Sequence, residues 1–256
     1  MIDLAGQVAL VTGGSRGIGR ATAMALARAG ADLAITYLNS PEDAQELGAD
    51  LLALGRRALV LKADLSQPED AAAVVSAVTE HLGALDLLIS NAAGGGFRSL
   101  MEVSSENFDY ALSLNARALM LLAQAAAPAL ERSGDRPRSR IVSISSWGAE
   151  RALPMYGAIG ASKAALEALT RHLALELGPR GVNVNCVRAG VVDTGALRTL
   201  AAAQAVLDAR RARSLAGDRN VSPEDVANAV LFLSSPLADM VQGATLIVDG
   251  GSSLHP

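Results

Sequence analysis

Short, continuous apolar runs alternate with helical patterns along nearly the whole chain, and this alternation constrains the fold more than any other feature. The first run is VALV at 8–11, and later ones include ALVLKA at 58–63 and ATLIVD at 244–249. Most runs lack the period of two that marks a strand with one solvent-facing side, so both faces are expected to be covered. Right-handed helical crossovers cover a parallel sheet in this way. The pattern therefore predicts an α/β fold, a doubly wound parallel sheet with helices on both faces.

The chain is predicted to form a single domain over residues 1–256. Strands are predicted at 8–11, 32–37, 58–63, 85–90, 140–145, 182–187 and 244–249. Helices are predicted at 17–29, 41–54, 67–82, 105–130, 162–177, 196–214 and from Ser222 onward, where a serine cap precedes a proline. The polar stretch at 132–138 is interpreted as a surface loop, because no linker, repeat or low-complexity tract marks a domain boundary.

Composition excludes several classes of function. The 256 residues carry a formal net charge of −4, which offers no basic footprint for nucleic acid. The single cysteine, Cys186, excludes an internal disulfide and is typical of a buried apolar position. His81, His172 and His255 are scattered, so no metal cluster is evident. Because neither a signal peptide nor a run of about 18 uncharged apolar residues is present, we expect a soluble, cytoplasmic protein without a membrane partner.

A glycine-rich turn joins the first predicted strand to the first helix. It reads TGGSRGIG at 12–19, with glycines at 13, 17 and 19. Glycines permit a tight turn and a close backbone approach, while the helix N-terminus supplies amide donors for a pyrophosphate. The position between strand and helix favours a dinucleotide site, although purely structural glycines would also explain the turn. Besides the glycines, Ser15, Arg16 and Ile18 belong to the predicted cofactor-binding set.

The end of the second strand bears on the choice between NADPH and NADH. An NAD site carries an acidic residue there for the ribose 2′-hydroxyl, but this end reads YLNS at 37–40. Arg16 is placed to meet a 2′-phosphate, with Asn39 or Ser40 as a hydrogen-bonding partner. NADPH is therefore favoured over NADH, and the alternative for Arg16 is a solvated loop charge.

Further cofactor contacts are expected where other strands end, since ligands of doubly wound sheets bind at the carboxyl ends of the strands. Asp64 could bond the adenine amine or cap the next turn. Thr194 is interpreted as a contact to the nicotinamide carboxamide or a phosphate, with helix capping as the alternative. The remaining predicted cofactor-binding residues are Leu65, Asn91, Ala92, Ala93, Lys163, Gly190 and Val192.

The segment SISSWGAERALPMYGAIGASKAALEALTR at 143–171 contains the residues expected to carry out the chemistry. Ser146 and Lys163 are 17 positions apart, and Tyr156 precedes Lys163 by seven. On a regular helix residues seven apart share a face, but Pro154 and two glycines make a regular helix unlikely before residue 162. Tyr156 is then expected on a loop.

These motifs together resemble the short-chain dehydrogenase/reductase family over essentially the whole chain. The resemblance rests on TGGSRGIG (12–19), Asp64, NAAG (91–94), Asn115, Ser146, a Tyr–Lys pair and VDGG (248–251). It implies a Rossmann-type sheet of about seven strands, a nicotinamide cofactor, and a homotetramer or homodimer. It also implies that Tyr156, Lys163, Ser146 and Asn115 are the catalytic residues, with Asn115 either anchoring a water or backbone kink or serving as a structural amide.

One departure from the family pattern is informative. Ordinary members have Tyr-x-x-x-Lys, but Ile159 stands at that tyrosine position and Tyr156 lies three residues earlier. The longer spacing resembles the bacterial enoyl-acyl-carrier-protein reductases, closest to their NADPH-dependent branch, often called type III. Supporting similarity lies in GAERALPMY (148–156) and in Ala189-Gly190. The resemblance implies fatty-acid or polyketide biosynthesis and an acyl thioester substrate.

The displaced tyrosine suits an enoyl thioester, because negative charge develops on an oxygen several bonds from the carbon that receives hydride. Our hypothesis is that Tyr156 hydrogen-bonds this enolate oxygen and that Lys163 holds the nicotinamide ribose. Ser146 is a second donor or lines the pocket. The alternatives are an NADPH-dependent carbonyl reductase or alcohol dehydrogenase, and a non-catalytic NADPH sensor.

The segment 194–219 lies where family members carry a substrate lid. An apolar face would cover an acyl chain, while arginines 198, 210, 211 and 213 would meet the phosphate of a carrier, either acyl carrier protein or coenzyme A. The alternative is an amphipathic surface helix with solvated arginines.

Overall fold

A seven-stranded, wholly parallel sheet with the order β3-β2-β1-β4-β5-β6-β7 forms the centre of the molecule. The computed structural model describes residues 2–131 and 137–254. The strands are β1 Val8–Val11, β2 Asp32–Tyr37, β3 Ala58–Lys62, β4 Leu87–Ser90, β5 Ser139–Ser146, β6 Val182–Ala189 and β7 Thr245–Val248. The chain order reverses between β1 and β4, so the carboxyl ends of these strands border a crevice.

Helices cover both faces of this sheet, as the uninterrupted apolar runs predict. They are α1 Gly17–Arg28, α2 Pro41–Ala53, α3 Pro68–Leu82, α4 Ser105–Leu112, α5 Ala118–Leu130, α6 Gly157–Leu177, α7 Gly195–Arg198, α8 Ala203–Arg211 and α9 Pro223–Leu233. Alternate residues of one strand join opposite cores: Leu10 packs with α3, α5 and α6, whereas Ala9 and Val11 pack with α1, α2 and α9. The predicted α/β fold with a doubly wound parallel sheet is therefore confirmed.

The helix predicted at 105–130 is interrupted by a π-helical turn at Ser113–Arg117. The wider turn inserts an extra residue into the helix, an irregularity that occurs often at functional sites. Asn115 lies in this turn and is 1% exposed. The sequence pattern of apolar residues does not reveal the turn, because helical periodicity continues on both sides of it.

Helix α6 begins at Gly157, five residues earlier than predicted. Gly160 is needed for close packing: a Cβ there would lie 2.6 Å from the carbonyl oxygen of Gly148. At Gly157 a Cβ would lie 2.3 Å from the Leu100 side chain. The prediction of an irregular segment before residue 162 was therefore wrong, because these glycines serve tertiary contacts rather than a break in the helix. Tyr156 does lie outside the helix, directly before its first residue.

The single helix predicted at 196–214 is also wrong, since the chain forms two short helices, α7 and α8, with a turn between them. At Ser222 the predicted cap is confirmed as a capping box with Asp225. Cys186 is fully buried, as expected. Most of the loop predicted at 132–138, and His255, lie outside the described residues. Among the described helices, none combines the length and apolar character needed to cross a membrane.

Candidate active site

A cleft of about 760 Å³ opens at the carboxyl ends of the strands. All of the predicted site residues except Asn115 line this cleft, although they come from distant parts of the chain. These lining residues are Gly13, Ser15, Arg16, Gly17, Ile18, Gly19, Asn39, Ser40, Asp64, Leu65, Asn91, Ala92, Ala93, Ser146, Tyr156, Lys163, Gly190, Val192 and Thr194. The fold thus brings the predicted cofactor and catalytic residues to one place.

Thr12 and Asn91 tie β1 to β4 at the point where the strand order reverses. Thr12 Oγ1 accepts hydrogen bonds from the Asn91 and Ala92 amides, at 2.9 and 3.0 Å. In return, Asn91 Nδ2 donates to the carbonyl oxygens of Thr12 and Gly13, at 2.9 and 3.0 Å. Paired and buried in this way, these polar groups hold the glycine turn in one conformation.

The glycine turn leaves no room for side chains at its narrowest points. A Cβ on Gly19 would lie 2.2 Å from the Gly13 carbonyl oxygen, and Gly13 and Gly17 have φ values of 61° and 55°. Helix α1 has no acidic residue in its first turn, and no side chain caps it. Its N-terminal amides therefore remain available to an anion, and the turn fits the pyrophosphate of a dinucleotide.

At the end of β2 the cleft has hydroxyl, amide and guanidinium groups. Ser15 Oγ and Ser40 Oγ are 2.7 Å apart, so the glycine turn and the β2 end are joined. Arg16 is exposed, and its guanidinium has no acidic partner among residues 2–131 and 137–254. Asp64 lines the cleft, and its Oδ1 accepts from the Ser66 amide and hydroxyl at 3.0 and 2.7 Å. The turn-capping contacts of Asp64 are therefore present, and its contact to the adenine amine stays a prediction.

Ser146, Tyr156 and Lys163 all line the cleft. Ser146 Oγ and the Tyr156 hydroxyl are 2.9 Å apart. Burial raises the pKa of Tyr156, and the bond to Ser146 lowers it only in part, so the phenol stays protonated at neutral pH. Lys163 is 4% exposed, and Nζ donates to the Ile144 carbonyl oxygen at 2.7 Å. Burial lowers the pKa of Lys163 to about 8.

Ile159 fills the position where ordinary family members have their tyrosine. It is 7% exposed and packs against Gly95. An apolar side chain therefore stands in place of the usual proton donor. Of positions 146, 156 and 159, only the first two carry a hydroxyl group.

The Tyr156 ring is held by the residue before it and by the backbone on which it packs. Met155 has a φ of 60°, which is strained for a side chain of this size. A Cβ on Gly148 would lie 2.3 Å from Tyr156 Cδ1, so the ring lies directly on the Gly148 backbone. The Phe97 ring is tilted by 39° at a centroid distance of 5.9 Å from the Tyr156 ring. These contacts fix the ring without a regular helix around it.

Asn115 does not line the cleft but bonds to residues next to it. Its Nδ2 donates to the Gly94 carbonyl oxygen at 2.9 Å, and its Oδ1 accepts from the Gly94 amide at 2.9 Å. Nδ2 also donates to Ser162 Oγ at 2.8 Å. Asn115 therefore clamps the loop after β4 to helix α6, so that its observed role is to position the backbone.

Sequence reasoning missed a buried ion pair behind Lys163. Glu167, one helical turn after Lys163, accepts from Ser145 Oγ at 2.7 Å and from Arg188 Nε and Nη2 at 2.8 and 2.6 Å. Arg188 also pairs with Glu150. Glu167 and Arg188 lie 21 residues apart on α6 and β6, so no local pattern could have revealed their contact.

A second missed group lies under the lid. Trp147 is 4% exposed, and its Nε1 donates to Asp249 Oδ2 at 3.0 Å. The Arg210 guanidinium lies over the indole, 4.2 Å from its centroid. As the only tryptophan in the chain, directly after Ser146, Trp147 did offer a sequence signal.

The lid contributes an apolar wall, as predicted, through Leu197, Leu200 and Val206. Two of the four lid arginines already have acidic neighbours. Arg198 pairs with Asp193, and Arg211 lies 3.5 Å from Asp218, so the prediction that these two meet a carrier phosphate has no support in the structure.

Thr194 lines the cleft beside Gly17, and its Oγ1 accepts from the Leu197 amide at 3.4 Å. The capping contact is therefore present, while the side chain remains at the cleft wall, next to the glycine turn. The cofactor contact stays a prediction.

Comparison with known proteins gives matches over nearly the full chain. The family model described as enoyl-(acyl carrier protein) reductase matches residues 13–253. A 1-cyclohexenylcarbonyl-CoA reductase from Streptomyces collinus is 35% identical over 254 residues, which cover 97% of this chain and 87% of that protein. The hydroxynaphthalene reductase arp2 of Aspergillus fumigatus is also 35% identical, with 94% of this chain and 90% of that protein covered.

A crystal structure of a short chain dehydrogenase from Burkholderia cenocepacia in complex with NADP is similar with a TM-score of 0.89 and 41% identity. The match covers 98% of this chain and 99% of that one.

Proposed function

The chain belongs to the short-chain dehydrogenase/reductase family, and within it we propose an NADPH-dependent reductase of the C=C bond of an enoyl thioester. As a member of this family it is an oxidoreductase with a nicotinamide cofactor. The proposal names the reaction more narrowly than the family does. It is supported by the match to the enoyl reductase model and by a relative whose name denotes an enoyl-CoA substrate.

The observation behind this proposal is the position of the tyrosine. Tyr156 precedes helix α6, while the buried Ile159 fills the ordinary tyrosine site. A donor removed from the ordinary place suits a substrate whose charge develops on an oxygen remote from the reacting carbon. In an enoyl thioester, the β-carbon gains hydride and the thioester oxygen gains the negative charge.

When bound, NADPH supplies the hydride. Tyr156 donates a hydrogen bond to the enolate oxygen, and Ser146, 2.9 Å from the phenol, either donates a second bond or orients the first. The buried Lys163 ammonium stabilises negative charge beside the tyrosine and is the residue that would hold the nicotinamide ribose. Transfer of a proton from solvent to the α-carbon then completes the reduction. The apolar lid residues exclude water from the developing charge.

The preference for NADPH is part of the proposal. It is supported by the exposed, acid-free Arg16 beside Asn39 and the Ser15–Ser40 pair, a set that fits a 2′-phosphate. The NADP-bound relative agrees with this interpretation.

A carbonyl reductase is the second candidate, and one observation favours it. Two hydroxyls only 2.9 Å apart can both donate to a single ketone oxygen, whatever the sequence spacing that brings them together. One relative is named a hydroxynaphthalene reductase, and that name denotes a substrate other than a thioester.

The test is NADPH oxidation with a matched pair of substrates, crotonyl- and acetoacetyl-thioester, repeated with NADH. We expect oxidation with the crotonyl substrate and a butyryl product by mass spectrometry. Oxidation with the acetoacetyl substrate alone would replace the proposal by the second candidate. Tight NADPH binding without turnover of either substrate would indicate a different substrate first and a non-catalytic sensor second.

We also propose a homotetramer or homodimer. Strand β7 is the last strand of the sheet and exposes Leu246 and Ile247, at 36% and 46%. Leu237 and Met240 are also exposed, at 72% and 96%, so this part of the chain offers apolar side chains to a second subunit. Light scattering after size exclusion would contradict this if it gave the mass of a monomer.

A further inference from the structure

We propose that Arg210, supported by Arg151 and Arg213, binds the phosphate of the thioester's pantetheine handle at the lid side of the cleft. This inference rests on the proposed thioester substrate. It assigns the charged part of that substrate to a specific group of residues, whereas the sequence pattern left four lid arginines as equivalent candidates.

The guanidinium of Arg210 lies on the Trp147 ring, and its N–H donors are not used by this contact. Its guanidinium lies 4.2 Å from the centre of the Trp147 ring, a distance typical of stacking. Stacking uses the face of the guanidinium and leaves the N–H donors around its edge. Arg210 lines the cleft, and among the residues that the structure describes no acceptor bonds these donors. A planar, oriented cation with open donors is suited to a phosphate.

Two further cations lie near Arg210. Arg151 is 5.8 Å from the centre of the same indole and donates to the Ser253 carbonyl oxygen, while Arg213 lies in the turn after α8, where its amide donates to the Arg210 carbonyl oxygen. Burial lowers the pKa of Arg210, and repulsion by Arg213 and Arg151 lowers it further. An anion at this place would relieve the repulsion. In a chain with a net charge of −4, such a concentration of positive charge is a local feature.

The acids of this region are engaged elsewhere. Asp249, bonded to the same indole, accepts from Trp147 Nε1, the Gly251 amide and the Ser253 amide. Asp193 and Asp218 pair with the other two lid arginines, Arg198 and Arg211. Within the described part of the chain, no carboxylate forms an ion pair with Arg210.

The cleft has both apolar and charged lining residues. Near Tyr156 the wall is formed by Phe97, Leu153 and Met155, which suits an apolar acyl group. Arg210 reaches the same cleft from helix α8. The charged end of the substrate is therefore the part that Arg210 would recognise. Coenzyme A and acyl carrier protein share this phosphate chemistry.

The test compares pantetheine with 4′-phosphopantetheine by titration calorimetry on the enzyme saturated with NADP⁺, which occupies the cofactor's own phosphate sites. We expect phosphopantetheine to bind about tenfold more tightly than pantetheine, the amount that one charged hydrogen bond typically contributes. In Arg210→Gln this difference should disappear. Arg211→Gln, which removes the same charge one residue further on an arginine already near Asp218, should keep it.

Equal binding of the two compounds to the wild type, or no binding of either, would overturn the proposal. So would a difference that survives in R210Q. This assay requires no turnover, so a failure of enoyl reduction leaves its result interpretable. Coenzyme A and holo-acyl carrier protein as further ligands identify the source of the phosphate, since the natural handle should bind more tightly than phosphopantetheine itself. Unchanged thermal stability and NADPH affinity of R210Q would show that the variant is folded.

Discussion

The cofactor half and the substrate half of the cleft differ in the groups that form them. The cofactor half consists mainly of backbone, namely the glycine turn and the N-terminal amides of α1, and the side chains of Thr12 and Asn91 hold this backbone in place by joining β1 to β4. The substrate half consists of side chains on segments outside the sheet, with Tyr156 before α6 and Arg210 on α8. Backbone geometry tolerates almost no substitution, whereas a side-chain wall can change residue by residue. Specificity is therefore expected to vary in the second half while the first stays constant.

The strongest test of this contrast is Gly19→Ala. Its Cβ would lie 2.2 Å from the Gly13 carbonyl oxygen, so the turn must open. We expect NADPH affinity, measured by fluorescence titration, to fall more than a hundredfold, with a loss of about 3 kcal/mol in stability. Gly96→Ala is the control, because the nearest atom to its Cβ is a side-chain nitrogen at 3.8 Å. Near-normal NADPH affinity in G19A would contradict the proposed rigidity of the cofactor half.

Tyr156→Phe tests the other half. Removal of one preorganised donor to a developing oxyanion should lower kcat about a hundredfold. Affinity for NADPH should stay within twofold, since the two halves are separate. Full turnover in Y156F would refute the assignment of Tyr156, and a matching loss of NADPH affinity would refute the separation.

Arg16→Gln tests the exception to this contrast. Arg16 contributes a side chain to the cofactor half, which otherwise consists mainly of backbone. We expect Kd for NADPH to rise about tenfold and Kd for NADH to remain unchanged, since only NADPH has the 2′-phosphate. Arg20→Gln is the matched control, because Arg20 already pairs with Glu46 and Asp50. Equal losses for both cofactors would mean that Arg16 supports the turn rather than reading the phosphate.

The smallest effect is expected from Glu167→Gln and concerns pH. Lys163 has a pKa of about 8, lowered by burial, and the charges of Cys186 and Glu167 act in the opposite direction. Burial raises the pKa of Cys186 to about 11, so near neutral pH only Glu167 supplies negative charge. The ammonium form is lost as pH rises, so wild-type kcat should decline through about pH 8.

Without the Glu167 charge, the pKa of Lys163 falls and the decline begins at lower pH. We expect a severalfold loss of kcat near pH 8 and little change at pH 6, measured as full pH–rate profiles. Glu150→Gln, which removes the exposed partner of Arg188, should leave the profile in place. A uniform loss at every pH would indicate a purely structural role of Glu167.

The same division explains what the sequence could and could not predict. The glycine turn, Asp64, Asn91 and the succession of strands and helices along the chain follow from local patterns, because backbone conformation is encoded by neighbouring residues. Gly157 and Gly160 misled the prediction of α6, because their partners are Leu100 and the distant Gly148 backbone.

Side-chain groups of the substrate half depend on contacts across the sheet. Glu167 becomes a buried ion only through Arg188, and Arg210 becomes a candidate ligand only through Trp147, 63 residues earlier. Such pairs have no local signature. The Tyr–Lys spacing was the exception, because it could be read from the sequence by resemblance to a family.

The packing of Ile159 links the position of the tyrosine to the loop after β4. The side chain lies against the Gly95 backbone and near Ala111, in a space shaped for an aliphatic group. A tyrosine at 159 would need that loop to retreat, while loss of Tyr156 would remove the hydroxyl that now partners Ser146. The tyrosine spacing is therefore tied to the packing of the loop after β4, and a variant that moves the hydroxyl to position 159 has to change both.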